Sequence, residues 1–204
     1  MLHALDIFGT IVFALTGIFA AGRNNLDLFG ALVLATVTAV GGGTLRDLIL
    51  DVPVFWLTNP LYLYLIVGTW AASLVAARFT RRIPPGTIQW SDALGLSAFT
   101  VMGTAKALEC GQTAFVSILL GTLASVAGGL IRDMLAGRTP MVLNQQRLYA
   151  TASIAGCSVF ALLYAWSPQW ATIPAMATTF ILRAGALIWD WKLPIFPANG
   201  SDDD

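Results

Sequence analysis

The charged side chains with the clearest pattern are two Arg-Asp pairs. Gly41-Gly42-Gly43-Thr44-Leu45-Arg46-Asp47 recurs as Ala127-Gly128-Gly129-Leu130-Ile131-Arg132-Asp133, each at the end of a long apolar run. An Arg or Asp at the centre of a membrane span costs about 2.5–3.5 kcal/mol on insertion scales, so such residues must be paired, hydrated or close to an interface. Neighbours at i and i+1 point about 100° apart on a helix, which argues against pairing within each motif. One solution is crossed pairing, Arg46 with Asp133 and Arg132 with Asp47. The other is a helix end, with each arginine snorkelling to headgroups. The first would make structural or gating ion pairs, and the second would leave the charges as anchors.

The spacing of 86 residues does not drift. Asp6 falls on Asp92, Gly9 on Gly95, Phe13 on Phe99, Gly17 on Gly103 and Thr36 on Thr122. From Asp6 to Asp47, 13 of 42 positions are identical at that offset, which identifies an internal duplication. Small residues recur every four positions at Ala31, Ala35, Ala39 and Gly43, and at Gly121, Ser125 and Gly129. That spacing lets helix backbones approach closely in lipid. Three successive glycines exceed what one contact per turn needs, and each loses about 1 kcal/mol of helix propensity relative to alanine. A helix break at Gly41, Gly42 and Gly43, and at Gly128 and Gly129, is therefore expected. Its freed carbonyls would face a wet cavity and offer themselves to cations.

Three other charges matter. Lys106 aligns with Ala20, so duplication does not explain it, and Glu109 at i+3 is a possible partner. It reads either as an interfacial lysine or as a cation inside a pathway. Asp6 and Asp92 open their spans, where carboxylates cap helix N-termini, or else attract cations.

The elements that hold these residues are membrane spans. The chain is 57% hydrophobic and 11% charged, against about 25% charged in soluble domains. Zero formal net charge argues against a nucleic-acid partner. Apolar stretches near 4–21, 28–50, 58–78, 92–109, 113–136, 147–166 and 171–190 are each long enough to cross about 30 Å of hydrocarbon. The expected fold is an all-α polytopic membrane protein of seven transmembrane helices. Because each repeat holds three spans, an odd number, the second copy enters from the opposite face: two inverted three-helix repeats plus a seventh helix. The boundaries are 1–79 for the first repeat, 80–91 for a linker containing Pro84-Pro85-Gly86, 92–166 for the second repeat, 167–191 for the seventh helix and 192–204 for a tail ending in Asp202-Asp203-Asp204. The first apolar run belongs to the first repeat, so no separable signal peptide is expected.

Arg23, Arg78, Arg81, Arg82, Arg138, Arg147 and Lys192 all fall on one side of such a topology, which predicts an outside N-terminus and a cytoplasmic C-terminus. Most of the seven tryptophans lie near span ends as an aromatic belt. His3 is the only histidine, and Cys110 and Cys157 lack ligand spacing, so no metal, cofactor or enzymatic centre is expected.

Duplicated three-span repeats, glycines before Arg-Asp in spans 2 and 5, and a seventh span resemble the prokaryotic branch of the trimeric intracellular cation (TRIC) channels, over residues 4–190. The same pattern occurs in related bacterial glycine-transporter-like proteins. The resemblance implies a homotrimer in the cell inner membrane, with lipids and monovalent cations as partners. Each protomer would hold a potassium-conducting pore lined by kinked spans 2 and 5, with Gly41, Gly42, Gly43, Gly128 and Gly129 at the kinks. The Lys-Glu-Val signature of the animal members is missing here. A secondary transporter of a small amino acid such as glycine is the alternative, with a membrane scaffold or an intramembrane enzyme as remoter readings.

Overall fold

The computed structural model describes residues 2–78, 84–144 and 148–194. Those residues form nine helices: α1 (Leu2–Arg23), α2 (Leu28–Ile49), α3 (Phe55–Thr58), α4 (Leu61–Ala77), α5 (Thr87–Glu109), α6 (Ala114–Leu135), α7 (Met141–Asn144), α8 (Ala150–Tyr164) and α9 (Pro168–Ile188). Arg81, Arg82, Arg147, residues 80–83 of the expected linker and the acidic tail lie outside the described residues, and α5 begins inside that linker, at Thr87.

The duplication is legible in the turns. Asp27 caps α2 by accepting from the Gly30 N–H, and Thr113, 86 residues later, caps α6 by accepting from Val116 N–H. Left-handed backbone occurs at Asn25 and Gly111 before those caps, and at Asp51 and Gly137 after the same helices. Each of these pairs also stands 86 residues apart. The same local geometry is reached with asparagine or aspartate in one copy and glycine in the other, since both tolerate positive φ.

Four helices are long and apolar enough to cross a membrane: His3–Arg23, Leu28–Ile49, Ala114–Leu135 and Pro168–Ile188. Leu61–Ala77 and Ala150–Tyr164 are shorter apolar helices. The 23-residue α5 is absent from both groups for a physical reason. It packs against α1, α6, α8 and α9, and Asp92, Ser97, Thr100 and Thr104 on it are all buried. Protein rather than lipid surrounds it, so its surface need not be apolar.

Phe13 on α1 and Phe99 on α5 stack at the centre, with centroids 5.0 Å apart and planes 8° from parallel. Gly9 makes room for Phe99 and Gly95 for Phe13. A second, polar seam joins α5, α6 and α8: the Ser153 hydroxyl lies 2.9 Å from that of Thr100 and 2.7 Å from that of Ser125. Interhelical hydrogen bonds of this kind contribute about 0.6 kcal/mol each in a membrane. The matching positions in the first copy are Ala14, Ala39 and Val67, so α4 lacks this tie.

The expected glycine breaks do not occur, because α2 and α6 run unbroken through them. Each glycine instead serves a different neighbour. A Cβ on Gly41 would meet Ile131, one on Gly42 the carbonyl oxygen of Ala124, and one on Gly43 the ring of Phe55 at 2.6 Å. Gly128 faces the Thr38 carbonyl oxygen. Three adjacent glycines are thus three close approaches on three sides of one helix. The every-four stripe packs differently from expectation as well. Ala35 receives Gly17 of α1 and Gly121 receives Gly103 of α5, while the α2–α6 contact uses the adjacent face.

Candidate functional site

Gly42 meets Ala124 and Gly128 meets Thr38, so α2 and α6 cross antiparallel with the crossing between these pairs. Their C-terminal turns, which carry Arg46-Asp47 and Arg132-Asp133, therefore point to opposite ends. At 1.5 Å per residue, Arg46 stands about 20 Å along the axes from the turn holding Asp133. That distance rules out the crossed pairing expected from the sequence. Instead, Arg46 Nε donates to Asp47 Oδ1 at 2.8 Å, with Nη2 2.7 Å from the same oxygen. Arg132 Nε donates to Asp133 Oδ1 at 2.9 Å. The long arginine stem folds sideways, so neighbours on a helix do meet.

Each aspartate has a second task. Asp47 Oδ2 accepts the N–H of Phe55, the first residue of α3, and Asp133 Oδ2 accepts that of Met141, the first of α7. Both bonds measure 3.0 Å. The duplicated Arg-Asp is thus a buried clamp that turns the chain after a span. Snorkelling is excluded too, since Arg46 is 5% exposed and Arg132 0%.

The two ends differ in what the arginine does next. Arg132 Nη1 donates to Asp92 Oδ1 at 2.7 Å, both groups being completely buried. The Tyr149 hydroxyl lies beside the same carboxylate, both facing Gly129. The Gly129 Cα is the floor of this cluster: a Cβ there would meet Tyr149 Oη at 2.8 Å and Asp92 Oδ1 at 3.1 Å. Arg183 of α9 lies over the Tyr149 ring at 4.7 Å and donates to the Leu148 carbonyl at 3.2 Å. This end is sealed.

At the other end Asp6 accepts a hydrogen bond from the Tyr62 hydroxyl and makes none with Arg46. A cleft of about 280 Å³ opens here, lined by Asp6, Arg46, Phe55, Tyr62, Lys106 and Glu109, among others. Lys106 faces this cleft without an ion pair to Glu109, contrary to the expected i+3 partnership. Asp6 and Asp92 lie more than one residue inside α1 and α5, so they are not the N-caps expected of them. Residues beyond the Arg-Asp motif complete both ends: Tyr62, Tyr149 and Arg183. The identity of Asp6 and Asp92 across the duplication was the signal pointing to this pair of carboxylates. Arg183, on the unduplicated α9, had none.

The site brings together two cations, two carboxylates and a phenol in an open cleft, with the same clamp closed at the far end. Among the described residues no group of histidine, cysteine, aspartate and glutamate is arranged to hold a metal.

Comparison with known proteins gives a consistent picture. The sequence model of a family described as Glycine transporter matches residues 3–78 and 89–165. The chain is 40% identical over 200 residues to the UPF0126 inner membrane protein YadS of Escherichia coli, covering 96% of each. It is equally similar to a UPF0126 membrane protein of Vibrio cholerae, covering 96% of this chain and 83% of that one. Among solved structures, the TRIC trimeric intracellular cation channel orthologue from Rhodobacter sphaeroides superposes with a TM-score of 0.86 at 35% identity, over 93% of this chain and 98% of that one. A second TRIC cation channel structure matches with a TM-score of 0.84 at 29% identity, over 98% of both.

Proposed function

This chain belongs to the family described as glycine transporters, and from that premise we propose that it is a membrane channel for monovalent cations, chiefly potassium. The observation that carries the reading is the superposition on a TRIC channel over nearly the whole of both chains at 35% identity. Seven of the helices, α1, α2, α4, α5, α6, α8 and α9, serve as the spans of two inverted three-helix repeats and a seventh helix. The 86-residue offset between Phe13 and Phe99, and between the Gly42 and Gly128 contacts, supports that division. The boundaries of this reading are 1–79, 80–91, 92–166, 167–191 and 192–204, with α5 reaching back into the linker as far as Thr87.

In this proposal the cleft at the end of α2 is the mouth of a pathway within each protomer. Asp6 and Glu109 draw cations in, and Lys106 with Arg46 sets an electrostatic barrier behind them. The pathway continues along α2 and α6, which approach each other closely at Gly41, Gly42 and Gly128, while Gly43 and Gly129 shape its two ends against Phe55 and the Asp92 cluster. The protein assembles as a homotrimer in the inner membrane, as the description of the Rhodobacter sphaeroides neighbour supports for its own chain. The N-terminus lies outside and the C-terminus in the cytoplasm, following the arginine distribution.

A second reading, secondary transport of a small amino acid such as glycine, rests on the description of the matching family alone. Purified protein in a planar bilayer separates the two. Unitary potassium currents are expected; saturable glycine uptake without unitary events would replace the channel reading.

A further inference from the structure

The two ends of this molecule hold equivalent residues in two arrangements. Asp92 and Arg132 are joined at 2.7 Å and fully buried. Their counterparts 86 residues earlier, Asp6 and Arg46, both line the open cleft and are not joined. Asp6 is held instead by Tyr62, whose hydroxyl donates to its Oδ2. The residue at the Tyr62 position in the second copy is Leu148, which has no group to hold a carboxylate. Tyr149, at the next position, lies beside Asp92 across Gly129, and Arg132 donates to that carboxylate.

The elements around the two clamps differ in the same sense. α8 is tied by Ser153 to α5 and α6, and α9 packs along it. α4 buries only Tyr62 and Ile66, and nothing lies within 4 Å of a Cβ added at its Gly68. One end is tied by hydroxyl hydrogen bonds among three helices, whereas α4 is held by the Tyr62 bond to Asp6 and by Trp70 Nε1, which donates to the Leu28 carbonyl of α2 at 3.1 Å.

We propose that Asp6 is the moving member of a gate. When Tyr62 releases it, Asp6 pairs with Arg46 and closes the cleft in the arrangement that Asp92 and Arg132 already hold at the far end. Tyr62 is the latch that keeps this end open. An Asp–Arg pair and a Tyr–Asp hydrogen bond are both charge-assisted, so each is strong enough to hold its state. The proposal deepens the channel reading, in which the cleft is the pathway mouth, but its test does not depend on conduction.

Met102 lines the cleft and serves as the reporter position. Met102→Cys is placed in a Cys110→Ser background, the buried Cys157 being retained. Labelling by a small charged methanethiosulfonate reagent is timed in proteoliposomes, for variants that elute from size exclusion as the parent does. Tyr62→Phe removes the latch and should slow labelling about five-fold or more, the lower end of typical coupling between two states. Adding Asp6→Asn removes the charge that draws Arg46 and should restore the parent rate. Simple loosening of the structure would speed labelling in both variants. Unchanged or faster labelling in Tyr62→Phe, or a double variant that stays slow, would overturn the gate. Absence of potassium current with the expected labelling pattern would instead remove the channel reading and leave the gate standing.

Discussion

Phe13 and Phe99 stack face to face at 5.0 Å, and they are the same position of the duplicated sequence. A contact of a residue with its own repeat counterpart is what a two-fold relationship between the copies produces. Each ring also fills the space left by a glycine of the other helix, Gly95 for Phe13 and Gly9 for Phe99. Truncating either ring should therefore cost a similar amount. Phe→Ala in a packed core costs roughly 3–5 kcal/mol. Phe13→Ala and Phe99→Ala are expected to lower the thermal midpoint in detergent alike, and the double variant should lose less than the two losses added. Strongly unequal single effects would contradict the reciprocal packing.

The α2–α6 crossing gives a sharper test of the glycines. Gly42→Ala and Gly128→Ala each place a methyl group on a backbone carbonyl, of Ala124 and Thr38, where no flexible side chain can give way. Both should yield little folded protein by fluorescence-detected size exclusion. Gly68→Ala, on open surface, should fold like the parent and gain helix propensity.

The arginines should differ although their motifs match. Arg132 is fully buried between Asp92 and Asp133, so its removal strands two carboxylates. Breaking a buried pair in this way costs about 3–5 kcal/mol. Arg46 pairs with Asp47 alone and borders the cleft, where water can partly replace it. Arg132→Ala is expected to destabilise more than Arg46→Ala in thermal unfolding, and equal losses would argue against the sealed and open ends described above.

Lys106 faces the cleft beside Arg46 rather than a lipid headgroup. Lys106→Gln should raise unitary cation conductance or open probability in a planar bilayer while leaving the melting temperature close to the parent's. Unaltered single-channel behaviour would reduce Lys106 to an interfacial anchor.

The sequence by itself determined the helical membrane character and the duplication. Both are written in local terms: apolar runs of span length, and identities that repeat at one spacing from Asp6 to Asp47. The structure keeps that offset at the caps Asp27 and Thr113 and at the left-handed turns Asn25 and Gly111, because capping and turn geometry depend on a few adjacent residues, whereas the caps expected at Asp6 and Asp92 do not form. The tertiary structure decided which face of each helix met which neighbour. Gly41, Gly42 and Gly43 look like a helix break in sequence because glycine lowers helix propensity, yet packing on three sides holds the helix intact and uses each missing Cβ. The Arg-Asp pairs looked suited to crossing, but an antiparallel crossing near Gly42 and Gly128 carries the two motifs to opposite ends. What no periodicity contained is the difference between those ends. Asp6 and Asp92 are identical residues in equivalent places, and only the neighbours supplied by other helices, Tyr62 to one and Arg132 with Tyr149 to the other, make one end open and the other sealed.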